Sequence, residues 1–180
     1  MQRAIKYLAY ALLTAVIFIS CGDNVSLQRY YVDNQESNNF ISQDIPLSLM
    51  EIDKSNFTEA QEEAYNSVNK LNFLGYKVNE TDTETYLAEL AKVKTILSDS
   101  KYNDLMEFSD KGNKIYVKYI GTDEEADEVI VFGSAKDMGF GIVRILGDDM
   151  NPDKMVTLIS ALQNANIEEG QIENIMNFFK

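Results

Sequence analysis

The sequence predicts an α+β domain: a mainly antiparallel sheet of about five or six strands with three or four helices packed on one face. Three observations carry this. Two helix-start signatures lie in the first half, a run of short strand-like segments separated by turn residues fills the stretch from about 104 to 147, and a capped helix follows it directly. Taken in order, Phe40, Ile45, Leu47 and Leu49 line one side of an extended segment that Pro46 confines to a sheet edge or bulge. Thr58 and Gln61 form a capping box, and Ala60, Ala64, Val68 and Leu71 follow at helical spacing, which predicts a helix from about 59 to 70. LNFLGYKV, residues 71–78, is a short apolar run bounded by polar residues and reads as a buried strand. Thr81 and Glu84 form a second capping box with Asp82 placed to complement the helix dipole, and Tyr86, Leu90, Val93 and Leu97 mark one face of a helix over about 83–98.

Beyond the polar stop SDSK, DLMEF is a brief strand and KGN a turn. Ile115, Val117 and Tyr119 then alternate with Lys114, Tyr116 and Lys118, giving a strand with one apolar and one amphipathic face. GTDEEADE turns the chain into EVIVFGSA, and KDMG turns it into FGIVRILG, so consecutive strands joined by short loops form an antiparallel meander. Asn151 is an apt N-cap with Pro152 at the first helical position, and Met155, Leu158, Ile159 and Leu162 share a face of the helix that follows. Ile172, Ile175, Met176 and Phe179 lie on one side of a last amphipathic segment.

The first twenty-one residues, MQRAIKYLAYALLTAVIFISC, have a basic start (Arg3, Lys6), an apolar run from Leu8 to Ile19 and a small residue before Cys21, the pattern of a secretory signal peptide. The run is short for a membrane span. FISC resembles the lipobox of bacterial lipoproteins, in which the cysteine is acylated and becomes the first residue of the mature chain; Phe18 departs from the aliphatic residue usual there. The expected organisation is a signal peptide over 1–20, the lipidated Cys21 with a polar tether over 21–39, and a single α+β domain over 40–180. A flexible tether of that length holds a domain roughly 20 to 25 Å from the membrane. Tyr30, Tyr31 and Val32 are its one apolar cluster, and docking back on the domain is favoured over a partner-binding motif.

The chain carries a net charge of -13, with 16 basic and 29 acidic residues; without residues 1–20 it loses Arg3 and Lys6 and reaches -15. Such a surface repels phosphate backbones and anionic headgroups, which argues against nucleic acid as a partner and leaves the lipid on Cys21 as the means of membrane attachment. Histidine is absent and Cys21 is the one cysteine, so the commonest general base, the commonest metal ligand and a free thiol nucleophile are all missing from the mature chain.

Asp149, Asn151 and Asp153 match the first three ligand positions of a calcium loop, but Lys154 and Ser160 stand where glycine and glutamate are required, and a turn with a helix cap explains the same residues. The acidic run Asp123, Glu124, Glu125, Asp127 and Glu128 reads as a turn bearing solvated charge. Paired carboxylates able to hydrolyse a glycoside would stand about 5 to 9.5 Å apart, and sequence alone singles out no such pair; tryptophan, the strongest sugar-stacking residue, is absent. Gly133, Gly139, Gly141 and Gly147 punctuate strands and form no phosphate loop. Arg144, in an apolar strand, is expected to pair with an acid or to point to solvent.

The lipobox, SLQRYYVDNQES leading into FISQDIPLSL, KLNFLGYK, YNDLMEF and above all DEVIVFGSAKDMGFGIVRILGDDMNP together resemble a family of small bacterial lipoproteins classed as domain of unknown function 4252. The resemblance implies an envelope lipoprotein with a compact α+β domain, and it brings no catalytic or cofactor-binding residues with it. The expected role is a non-enzymatic binding module of the cell envelope, held by acyl groups such as palmitate on Cys21, with an envelope protein as partner and no other cofactor. Gly22 and Asp23 lack the dense acidic run of some surface-exported lipoproteins, which favours the outer membrane facing the periplasm. A carboxylate-dependent hydrolase and a small-ligand or cation carrier stay open as alternatives.

Overall fold

In the computed structural model, which describes residues 26–49, 52–78, 83–110, 113–162 and 169–179, six strands form one sheet. The elements are α1 (Leu27–Asn34), β1 (Phe40–Pro46), a 3-10 turn (Leu47–Leu49), α2 (Glu59–Ser67), β2 (Val68–Lys77) and α3 (Thr83–Leu97), then β3 (Asn103–Asp110), β4 (Asn113–Gly121), β5 (Ala126–Ala135), β6 (Gly139–Met150), α4 (Pro152–Leu162) and α5 (Glu169–Phe179). The strand order is β1-β2-β6-β5-β4-β3 and every neighbouring pair is antiparallel. The expected α+β class and the β3–β6 meander are what the chain forms, and β6 then docks beside β2.

Successive side chains on a strand point to opposite faces, and here both faces are apolar. Leu74, Tyr76, Ile130, Phe132, Phe140 and Ile142 project to one face, where Leu27, Tyr30 and Tyr31 of α1 and Tyr86, Val93, Ile96 and Leu97 of α3 cover them. Val117, Val129 and Ile145 project to the other, into a separate core with Ala64 of α2 and Met155, Leu158 and Ile159 of α4. The five helices among the described residues are therefore divided between two faces, where the sequence predicts three or four on one. The cause is visible in NFLGY, EVIVF and GIVRIL, which carry apolar residues at both parities, the pattern of strands buried on both sides.

Three further expectations change. The segment expected as a tether is helical from Leu27 and capped by Ser26, whose hydroxyl accepts the Arg29 N–H at 3.2 Å. Leu27 and Tyr30 are 1% and 4% exposed, so this helix belongs to the core, while Val32 points away from it. Phe40 and Ile45 do not share a side: Phe40 opposes Tyr76 on the α1/α3 face and Ile45 opposes Leu71 on the other, and the chain leaves the strand at Pro46. The predicted box at Thr58 and Gln61 is formed in full, yet α2 stops at Ser67, because Val68 begins to pair with β6 at Gly147. Cys21, the signal peptide and the cap residues Thr81 and Asp82 lie outside the described residues.

Candidate functional site

The even-numbered residues of β4 point to the α1/α3 face, but α3 reaches only part of that face and leaves the β3–β4 margin open. A cleft of about 690 Å³ lies there, between the end of α3 and β3. Its floor is the stacked pair Tyr116 and Phe132, ring centres 6.3 Å apart, and its walls include Leu97, Tyr102 and Met106. The turn that ends α3 shapes one wall. Ser98 donates its hydroxyl to the Thr95 carbonyl at 2.7 Å, Asp99 accepts the Lys101 N–H at 3.1 Å, and the Tyr102 N–H reaches back to the Asp99 carbonyl at 3.0 Å. Tyr102 is thereby fixed, with its hydroxyl oxygen accepting the Leu27 N–H at 3.0 Å and the Lys101 ammonium 5.0 Å above its ring.

The carboxylates lining the cleft each have a partner. Lys118 donates to Asp104 and, at 3.3 Å, to the Tyr102 carbonyl. On the strand face that continues the floor, Lys114 meets Glu107 at 2.7 Å, and that hydrogen bond, followed by the carboxylate's charge, raises the ammonium pKa above its usual range. Asp99 is occupied by its own turn. The three carboxylates lining the cleft are thus all engaged, and the remaining hydroxyls and rings suit contact with a ligand better than attack on one.

Beneath α1 a polar row crosses the same face, exposed at Asp44 and buried at Asn72, Arg144 and Glu128. Asp44 accepts from the Tyr31 hydroxyl at 2.9 Å and from the Asn72 amide; Asn72 stands opposite Arg144 in register, and Arg144 holds Glu128 with two parallel bonds of 2.7 and 2.8 Å. Burial opposes the charge on Arg144, but the hydrogen bonds and charge of Glu128 outweigh it and lift the guanidinium above its ordinary pKa. Burial, then the bond to Asp44, pushes Tyr31 up to about 12; Tyr30 is raised further, by burial and then by Glu89, which its hydroxyl meets at 2.7 Å. Asn72, Arg144 and Glu128 are buried and each has a partner in the row, so these groups hold the fold.

The residues singled out in the sequence fall as follows. Asn151 caps α4, its Oδ1 accepting the Lys154 N–H at 3.0 Å, and its amide donates to the Glu124 carbonyl at 3.2 Å. The acidic run and the Asp149–Asp153 turn therefore meet at one end of the sheet, with Asp149 at a left-handed φ of 55°. Among the described residues no three carboxylates are gathered closely enough to hold a metal ion. Glu128 departs from the solvated-turn expectation: it is 8% exposed and is the acid that Arg144 pairs with. No sequence motif marks the cleft, and its one trace in the sequence is the Lys-Tyr-Lys face of β4.

What the fold and cleft define is a small α+β domain, an antiparallel sheet faced by helices on both sides, with an open aromatic-floored cleft at one margin. No helix among the described residues is long and apolar enough to cross a membrane. The chain belongs to the family described as Domain of unknown function (DUF4252), which matches residues 30–158, from α1 to α4 and so across the whole sheet. The family's function is uncharacterised, and membership is consistent with an envelope-associated protein. No curated protein and no solved structure matches the chain significantly.

Proposed function

We propose that this is a lipid-anchored protein of the bacterial cell envelope, acylated at Cys21 and facing the periplasm from the outer membrane, whose domain binds another envelope component through the cleft between α3 and β3. The observation that carries the binding role is the cleft itself: an aromatic floor of Tyr116 and Phe132, with each lining carboxylate already engaged by a lysine or a backbone N–H. A hydrolase would need two facing carboxylates free to exchange protons, and a carrier would enclose its ligand. The lipid anchor is supported by the signal-like start and the FISC sequence. Intact mass of the membrane-extracted protein tests the anchor, with an acyl increment expected and lost in Cys21→Ser. A photoreactive side chain placed at Tyr116 should cross-link an envelope component that the same group at Val32 does not; equal labelling from both positions rejects the cleft as the binding surface.

A further inference from the structure

We propose that the domain faces the bilayer with the end at which α1 begins, formed by Ser26 and the Ser98–Tyr102 turn that lines one wall of the cleft. The inference rests on acylation of Cys21 and goes beyond it by assigning which surface meets the membrane.

Chain length fixes the distance. Cys21 and Ser26 are five residue steps apart, which span at most about 18 Å when fully extended and roughly 12 Å on average when flexible. That short connection ends on a point that does not give way. Leu27 is 1% exposed, its N–H is bonded to the Tyr102 hydroxyl, and Tyr30 and Tyr31 are buried one turn further on, so moving α1 outward would uncover all three side chains. An eighteen-residue tether lets a domain rotate freely above the membrane; five residues tied to a buried helix start do not.

The sheet then sets what is near and what is far. Tyr102 immediately precedes β3, whose first residue, Asn103, opposes Tyr119 at the end of β4, and the neighbouring β5 starts at that same end. The turn at Lys136–Met138 closes the opposite end, nine residue steps along β5 and so roughly 30 Å away. Because Tyr102 is also a wall of the cleft, that wall lies at the membrane-facing end. Charge does not seat this end, since Asp123, Glu124 and Glu125 lie there and repel an anionic surface; the short covalent link does.

The test uses the mature acylated chain in vesicles of phosphatidylethanolamine and phosphatidylglycerol. Cys21 is the chain's one cysteine and its thiol carries the lipid, so Ser100→Cys or Asp137→Cys supplies a single free thiol at an exposed position at either end. A fluorophore on Ser100→Cys should be quenched several-fold more strongly by headgroup-nitroxide lipids than one on Asp137→Cys, and a flexible Gly-Ser insertion after Gly22 should level the two. Equal quenching of the uninserted variants, stronger quenching at position 137, or a difference that survives the insertion overturns the orientation, while flotation with the vesicles leaves the anchor standing. A chain that does not float removes the anchor and this inference together.

Discussion

Arg144 and Glu128 are buried by the same α1/α3 layer, and each is tolerable there because the other is present. Glu128→Gln should leave a buried guanidinium without its counter-charge and cost about 3–5 kcal/mol, whereas replacing both by apolar residues of similar volume should cost far less. Urea unfolding of the single and double variants decides this, and equal losses would mean that the pair acts through shape and not charge. Tyrosine ionisation makes a second prediction at this scale. An unfolded tyrosine loses its proton near pH 10, whereas Tyr31 in the fold holds it until about 12, and Tyr30, Tyr86 and Tyr119 are raised as well. Above pH 10 the folded state binds more protons than the unfolded one, so this contribution to stability is full below pH 10 and is lost as pH rises through the folded values. Alkaline titration should show the buried tyrosines ionising in one cooperative step coincident with loss of circular dichroism; smooth, independent titration of every tyrosine would contradict the packing of α1.

At the scale of elements, what could be foreseen was what is specified locally. Thr58 with Gln61 and Asn151 with Pro152 announce their helices because each cap is made by neighbours in the chain, and the strands of the meander are bounded by their own turn residues. The helix α1 could not be read that way. LQRYYVDN is polar overall, and only contacts with α3, β1 and Tyr102, up to 75 residues distant, make Leu27, Tyr30 and Tyr31 a buried stripe. The cleft is illegible for the same reason, being assembled from α3, β3, β4 and β5 by a sheet order that departs from chain order only where β6 joins β2. If Tyr102 is what pins α1, Tyr102→Phe leaves the buried Leu27 N–H without an acceptor and should cost about 1–3 kcal/mol. Amide exchange should accelerate in α1 while β5 and β6 keep their protection; unchanged exchange in α1 would show that side-chain burial alone holds it.

For the molecule as a whole, the two cores meet through a sheet whose central strands carry a row of glycines. Gly75, Gly141 and Gly133 stand opposite one another in β2, β6 and β5. The Phe73 ring lies across the first two, and Phe179 of α5 reaches Gly75, where an added Cβ would come within 2.9 Å of both rings. The helix α5 lies beyond the family match and touches the sheet chiefly at β2, so it should act as an accessory cover and not as part of the folding unit. A chain ending at Leu162 should therefore keep its circular dichroism and cooperative unfolding and lose about 1–2 kcal/mol, somewhat less than full burial of a phenylalanine side chain contributes. Gly75→Ala separates the two rings. In the shortened chain its cost comes from Phe73 alone, and in the full chain from Phe73 and Phe179 together, so the cost should be larger in the full chain if Phe179 rests on Gly75. Equal costs in both chains would place α5 elsewhere, and loss of the cooperative transition on shortening would make α5 integral to the core on the α2/α4 face.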